Sequence, residues 1–393
     1  MRSWRDEFEF ERGVIFLNHA ASGPMPRRGR EALAEFVVRR SALKDGPDVD
    51  EETFRLLPEA KQFFGRLIGE RARQIAFAPN TSYGLNMVLW GLGLRRGERI
   101  LIPEVEFPAV VYAVRHLADV CGLRMESLPC PDGWLDEGTL KRALRRKAAV
   151  LAISWVQYFN GYRYDLKALA DICHAHGCFL LVDAIQGAGA VPMRMRTWGV
   201  DAVASGTQKW LLGEAGAGFF AVAESPIRTV RPPFTGWLSR DWRYRFTDLQ
   251  RWDRPEYTDG RRWEIGSYPQ HAVRLAHAGL SLLNECGIGE VFRRIQHLAA
   301  RLTDGLDGCR HRVVHFPARA NRSGIIIIRG PETEALFAHL RQRGFHLAFR
   351  EGNIRVAPHF YNTVDEIDAL IGEVEIFERK APDRRTTGRR RTR

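Results

Sequence analysis

Two side chains in one forty-residue stretch can do covalent chemistry: Asp183 and Lys209, in FLLVDAIQGAGAVPMRMRTWGVDAVASGTQKWLLGEAGAG, residues 179–218. An apolar run from Phe179 to Val182 reads as a buried parallel strand and ends on the Asp183 carboxylate. A second apolar run, Val200 to Ala204, leads through a polar turn to Lys209, with Trp210, Leu211 and Leu212 behind it. Ligands of an open α/β sheet bind in the crevice at the carboxyl ends of its strands. Both residues fall just past strand ends, so both can face one crevice. An amine and an acid placed in this way suit pyridoxal phosphate (PLP). The lysine forms the Schiff base, and the acid keeps the pyridine nitrogen protonated so that the ring acts as an electron sink.

The elements that must position this pair alternate along the chain. Helical spacing of apolar residues marks Pro26–Arg40 and Thr53–Ile68. Ile75–Ala78 reads as a strand, and Pro79-Asn80-Thr81-Ser82 opens a helix from Gly84 to Trp90 with hydroxyls that cap exposed backbone N–H groups. Further strands are predicted at Arg99–Pro103 and Ala148–Ser154, and an amphipathic helix at Asp165–His176. Strands alternating with helices point to a parallel sheet covered on both faces. From His271 the pattern becomes a smaller α/β unit: helices at Ala272–Cys286, Val291–Leu306, Glu332–Arg343 and Val364–Phe377, and strands at Ile325–Ile328 and Ile354–Ala357. The expected division is a lead-in segment (1–24), a large PLP-binding domain (25–270), a small C-terminal domain with a long linking helix (271–378) and a basic disordered tail (379–393).

Composition narrows the classes. The chain has 393 residues, 45% of them hydrophobic, enough for a large core. The tail holds eight basic residues and one acid, +7 of the +12 formal charge, and leaves an ordinary +5 for the rest. A solvated terminus is favoured over nucleic-acid attraction. No apolar run approaches the roughly 20 residues of a membrane helix, and the charged N-terminus lacks a signal-peptide core, so a cytoplasmic protein is expected. Six cysteines lie without metal or disulfide spacing. The Trp- and Arg-rich stretch 228–262 reads as an active-site wall or a dimer contact.

The ordered string Val182, Asp183, Ala184, Gln186, Asp201, Lys209, Trp210, Gly216, Gly218 resembles the cofactor segment of the class V aminotransferase superfamily, which includes cysteine desulfurases, kynureninases and isopenicillin N epimerase-like enzymes. The resemblance runs roughly from Phe16 to Ile376. It implies a fold-type I PLP-dependent transferase: a large domain with a mostly parallel sheet covered by helices, plus a smaller C-terminal α/β domain. It also implies site residues. Asn18-His19-Ala20-Ala21-Ser22-Gly23-Pro24 resembles the family's segment on the substrate side of the cofactor, so His19 is expected to touch substrate. Thr81 and Ser82 match the phosphate-gripping turn, and Phe107 the ring stacked on the pyridine. Tyr158 stands where desulfurases have an asparagine, which leaves open whether Tyr158 or Gln186 reaches the phenolic oxygen. Gln208 takes the place of a histidine before the lysine. Gly260–Ser267 resembles a segment whose final hydroxyl reaches the phosphate of the neighbouring subunit, so Ser267 implies a homodimer with shared active sites. IRVAPHFYNT, residues 354–363, resembles the end signature whose arginine, here Arg355, clamps the substrate α-carboxylate.

The departures bear on the reaction. Gly344–Ile354 contains no cysteine, and Phe107 cannot transfer protons, so persulfide-forming desulfuration is disfavoured. The expected function is a PLP-dependent enzyme of the class V type acting on a small-molecule amino acid through a Lys209 Schiff base and quinonoid chemistry, by transamination or β-elimination (C–S lyase). Amino-acid epimerisation or racemisation is the first alternative. A degenerate PLP-fold binding protein using its basic tail is the non-enzyme alternative. No metal site is expected.

Overall fold

The computed structural model describes residues 4–42, 48–241, 246–248, 250–314, 316 and 318–380. Residues 381–393 of the basic tail lie outside the described residues, as do Trp242, Arg243 and Arg245 of the Trp- and Arg-rich stretch.

Thirteen strands are assigned in chain order among these residues: β1 (Ile15–Phe16), β2 (Ile75–Ala78), β3 (Arg99–Pro103), β4 (Arg124–Leu128), β5 (Val150–Ser154), β6 (Phe179–Asp183), β7 (Ala202–Gly206), β8 (Gly218–Val222), β9 (Arg312–Val313), β10 (Ile326–Arg329), β11 (Phe345–His346), β12 (Ala348–Arg350) and β13 (Asn353–Val356). The main sheet has the order β2-β8-β7-β6-β5-β3-β4. β8 runs antiparallel to both neighbours, and the other ladders are parallel. Buried on both faces, its inner strands are near-continuous apolar runs. Successive residues alternate between two cores: Leu101, Leu151, Ile153, Val182 and Val203 pack on one side, and Ile100, Ile102, Ala152, Leu181 and Ala204 on the other.

Most predicted elements fall within two or three residues of their places. Two strands of the main sheet escaped prediction, as did the short β1, β9, β11 and β12. β4 is half polar because it sits at the sheet edge. β8 was hidden by the glycines before it, and its reversed direction closes the sheet against β2. The second expected cofactor strand sits two residues later, at Ala202–Gly206, which brings its end closer to Lys209.

A four-stranded antiparallel sheet, β12-β13-β10-β9, is covered by helices Ile288–Gly305, Thr333–Gln342 and Val364–Lys380 around a separate core. Helix Gln270–Cys286, expected to open this smaller unit, packs chiefly along helices Arg27–Ala42 and Asp48–Ile68. The lead-in segment ties the two sheets together. β1 pairs in parallel with β11, His19 N donates to Ala357 O (3.1 Å), and Gly23 N donates to Gln208 O (2.8 Å). No helix among the described residues is long and apolar enough to cross a membrane.

Gly189 adopts φ +90°, and a Cβ there would stand 2.4 Å from Trp210 O. Gly189→Ala is therefore expected to cost about 2 kcal/mol or more. The check is a urea or thermal midpoint clearly below that of the parent protein.

Candidate active site

The β5, β6 and β7 ends lie level, with Ser154 opposite Asp183 and Asp183 opposite Ala204. Asp183 rises from the end of β6, its Oδ1 accepting from Ile185 N at 2.9 Å. Lys209 follows the end of β7 by three residues. Both line a cavity of about 370 Å³ at this edge of the sheet. They act on each other through charge, with no hydrogen bond or ion pair between them. Burial lifts Asp183 to about 6, opposed by the Ile185 N–H and by Lys209. Burial lowers Lys209 to about 8, against the pull of Asp183 and with help from Arg355 and Arg350. The result is an amine with a far larger unprotonated fraction near neutral pH than an ordinary lysine, and so a better nucleophile or base.

Helix Thr81–Gly91 points its N-terminus at the same cavity. Asn80 caps it by accepting from Tyr83 N at 2.8 Å, and Thr81 Oγ1 accepts from Gly206 N at 2.8 Å, fixing the helix to the end of β7. Ser82 lines the cavity and is exposed. A helix start with hydroxyls is suited to a phosphate. Phe107 is the N-cap of helix Pro108–Cys121. Its ring meets Tyr158 edge-on at 5.1 Å, and Lys209 Nζ stands 5.6 Å from its centroid. Gln208 lines the cavity beside Lys209. Gln186 also lines it, with its amide tied at both ends: Nε2 donates to Ala20 O and Oε1 accepts from Trp210 Nε1.

The smaller sheet closes the cavity with two guanidinium groups. Arg355 on β13 is buried, donates from Nη1 to Tyr158 O at 2.7 Å, and keeps a buried Nε with no partner. Burial and the neighbouring Arg350 lower it to about 10. Arg350 on β12 was missed because its stretch was searched only for a cysteine. The register pairs Ala348 with Arg355, so Arg350, two residues along, shares the face of Arg355 and also lines the cavity.

Two expected residues lie elsewhere. His19 does not line the cavity. It is fully buried beneath the lysine loop, with Nε2 2.6 Å from the Tyr361 hydroxyl and its ring stacked on Trp210 at 5.6 Å. Burial, with His359 beside it, holds His19 well below the usual histidine range, which suits a neutral packing group rather than a substrate contact. Ala20 and Ala21 take the cavity position instead. Ser267 is exposed and does not line the cavity of its own chain. A groove of about 400 Å³ beside helices 27–42 and 270–286 is comparable in size, but its arginines are spent: Arg28 on Glu7 and Glu285, Arg274 on Glu52.

The cavity fits PLP. It offers an amine for the aldehyde, an acid for the ring nitrogen, an aromatic face and a helix N-terminus for the phosphate, and the amine and acid are set apart with nothing bonded between them.

Comparisons with known proteins agree. The family model for aminotransferase class-V matches residues 15–370. The aminotransferase YcbU of Bacillus subtilis (strain 168), itself uncharacterised, is 28% identical over 317 residues, covering 80% of this chain and 82% of YcbU. The apo structure of a cysteine desulfurase from Thermococcus onnurineus NA1 superposes with a TM-score of 0.81 at 22% identity, over 94% of this chain and 95% of that one. A complex of the cystine C-S lyase C-DES with its product cysteine persulfide gives 0.81 at 22%, over 91% and 96%. At these identities the two structures show the fold.

Lys209 should titrate far from ordinary lysines. In cofactor-free protein labelled by reductive ¹³C-methylation, one resonance is expected to titrate near 8 and to vanish in Lys209→Arg. A Lys209 resonance titrating near the ordinary 10.5 would sink the burial argument.

Proposed function

We infer the activity from one premise: this chain belongs to the aminotransferase class-V family and is a PLP-dependent enzyme. We propose that it is an aminotransferase for an amino acid carrying a second anionic group. The observation that carries this is the pair of guanidinium groups, Arg350 and Arg355, on one face of the small sheet above Lys209.

Bound PLP supplies an aldehyde that condenses with amines and a ring that draws electrons from Cα. Lys209 would hold it as the amine partner, Asp183 would pair with the ring nitrogen, Phe107 would offer a face to the ring, and Asn80, Thr81 and Ser82 would take the phosphate. Arg355, fixed by Tyr158 O with its Nε unspent, receives the α-carboxylate in a planar two-point contact. Arg350 receives the second anion. Lys209 Nζ takes the Cα proton and returns it. Epimerisation needs a second proton carrier on the other face of the substrate. Phe107 has none to give, and burial holds the Tyr158 proton above the usual tyrosine range. Desulfuration through a protein thiol has no support, because no cysteine lines the cavity among the described residues.

β-Elimination is the second reading. It is favoured by the likeness to C-DES, a cystine C-S lyase whose namesake substrate carries two carboxylates. We further propose a homodimer with shared active sites. Phe234 and Ile265 are exposed apolar residues, Phe234 meets Tyr83 of the helix that starts at Thr81 edge-on, and Ser267 is exposed and does not line the cavity of its own chain. Light scattering at micromolar concentration should return twice the chain mass, and a monomer would refute the dimer.

The test is product analysis with amino acids of one or two anionic groups. A keto acid with pyridoxamine phosphate means transamination; pyruvate with ammonia means elimination. No turnover of any doubly anionic substrate overturns the reading. Lys209→Ala should abolish the absorbance of lysine-bound PLP. Arg355→Ala should raise KM about tenfold or more for every substrate, while Arg350→Ala should do so only for those with a second anion. Equal effects of Arg350→Ala on both classes would refute the role given to Arg350.

A further inference from the structure

A second buried carboxylate, Glu106, lies outside the cavity but beneath its acidic corner. It stands in the loop after β3, directly before Phe107. The side chain turns inward and is only 7% exposed. Its Oε1 accepts from Ser154 N at 3.0 Å and from Gln157 Nε2 at 2.6 Å, and its Oε2 accepts from Ser154 Oγ at 2.7 Å. Ser154 is the end of β5 and lies opposite Asp183 in the ladder, and Trp155 N donates to Asp183 O at 2.8 Å. Glu106 therefore grips the strand end next to the one that carries Asp183.

The surroundings are built for a charged carboxylate. All three contacts come from donors, and of these only the Ser154 hydroxyl could also accept a hydrogen bond from a neutral acid. Gln157 Oε1 is buried with no partner, so its amide is turned to donate to Glu106 at the expense of its own oxygen. We propose that Glu106 is a positioning residue whose buried negative charge acts on Asp183 and helps hold the proton on the cofactor's ring nitrogen. This rests on the reading that Lys209 and Asp183 hold PLP.

The groups facing Glu106 from neighbouring elements are Asp183, Cys130, Tyr158 and Tyr164. Burial pushes Cys130 up to about 11 and the two tyrosines above their ordinary value, so of the four only Asp183 ionises near neutrality. Burial lifts Glu106 to about 7; the Ser154 and Gln157 donors oppose this, and Asp183 adds to it. The two acids thus lose their protons in neighbouring steps as a coupled pair.

Glu106→Gln separates charge from structure. A glutamine can keep all three hydrogen bonds, its Oε1 accepting from Ser154 N and Gln157, and its Nε2 donating to Ser154 Oγ. The readout is the absorbance titration of resting holoenzyme without substrate, which reports the proton on the Lys209–cofactor linkage. Losing a nearby negative charge disfavours the protonated form, so the titration in Glu106→Gln should move to lower pH by about half a unit or more. Gln157→Leu removes one donor and leaves the carboxyl in place, so it should shift the same way by less. Midpoints of both variants equal to wild type, or moved upward, overturn the role of Glu106. A wild-type protein that binds PLP with no band requiring Lys209 overturns the site reading itself, and this inference with it.

Discussion

In the proposed reading, the chemistry of this protein depends on an amine and an acid kept out of water and out of contact with each other. Lys209 and Asp183 each give up solvation at the ends of adjacent parallel strands. At an effective dielectric near 20, opposite charges attract by only about 4 kcal/mol even at about 4 Å, and by less beyond. That is too little to offset burial, and the directions show it: the amine is lowered and the acid raised despite their attraction. Bound PLP would supply what each lacks, a protonated ring nitrogen as the positive partner of the acid and an aldehyde carbon as the covalent partner of the amine. The site is therefore unbalanced alone and balanced when loaded.

Holding such a pair apart needs a rigid frame, and the frame comes from residues distant in sequence. Trp210, next to the reactive lysine, is fully buried and gripped from three sides. Gln186 accepts its indole N–H, His19 stacks on its ring, and the His359 imidazole bonds to its carbonyl. His359 Nδ1 accepts from Phe360 N at 2.8 Å, so Nε2 is the donor to Trp210 O and the ring is the neutral tautomer. Burial moves His359 down to about 4, consistent with that state. The lead-in segment completes the clamp at Gly23, where a Cβ would lie 2.4 Å from Lys209 O. Chain ends and the lysine loop thus share one buried knot.

Much of this was legible in the sequence because the main sheet is parallel. Strands buried on both faces are short apolar runs with clear ends, and the site residues follow those ends, as Asp183 and Lys209 do. What was not legible depended on direction and depth. The edge position of β4 diluted its pattern, and the glycines before β8 masked a strand that reverses. His19 was expected at the substrate because its segment resembles the family's substrate-side segment. That segment does reach the cavity, but through Ala20 and Ala21, because the resemblance could not say which side chain turns into the core. Arg350 became meaningful only through the β12–β13 register, which no local pattern encodes. Glu106 looked like any loop acid until its three donors were placed around it.

The charges also arrive from opposite sides. Acids come from the large sheet, Asp183 in the cavity and Glu106 beneath it, while the two arginines come from the small one. In the proposed reading this division does more than hold substrate. Arg355 and Arg350 both lower the proton affinity of Lys209 in the free cavity. A substrate whose anions pair with those guanidinium groups cancels that influence, and Lys209 becomes a stronger base as the Cα proton comes within its reach. An amino acid with one carboxylate relieves one arginine, whereas a doubly anionic one relieves both. The arginines would then select substrate twice, once by binding it and once by setting the basicity of the residue that deprotonates it.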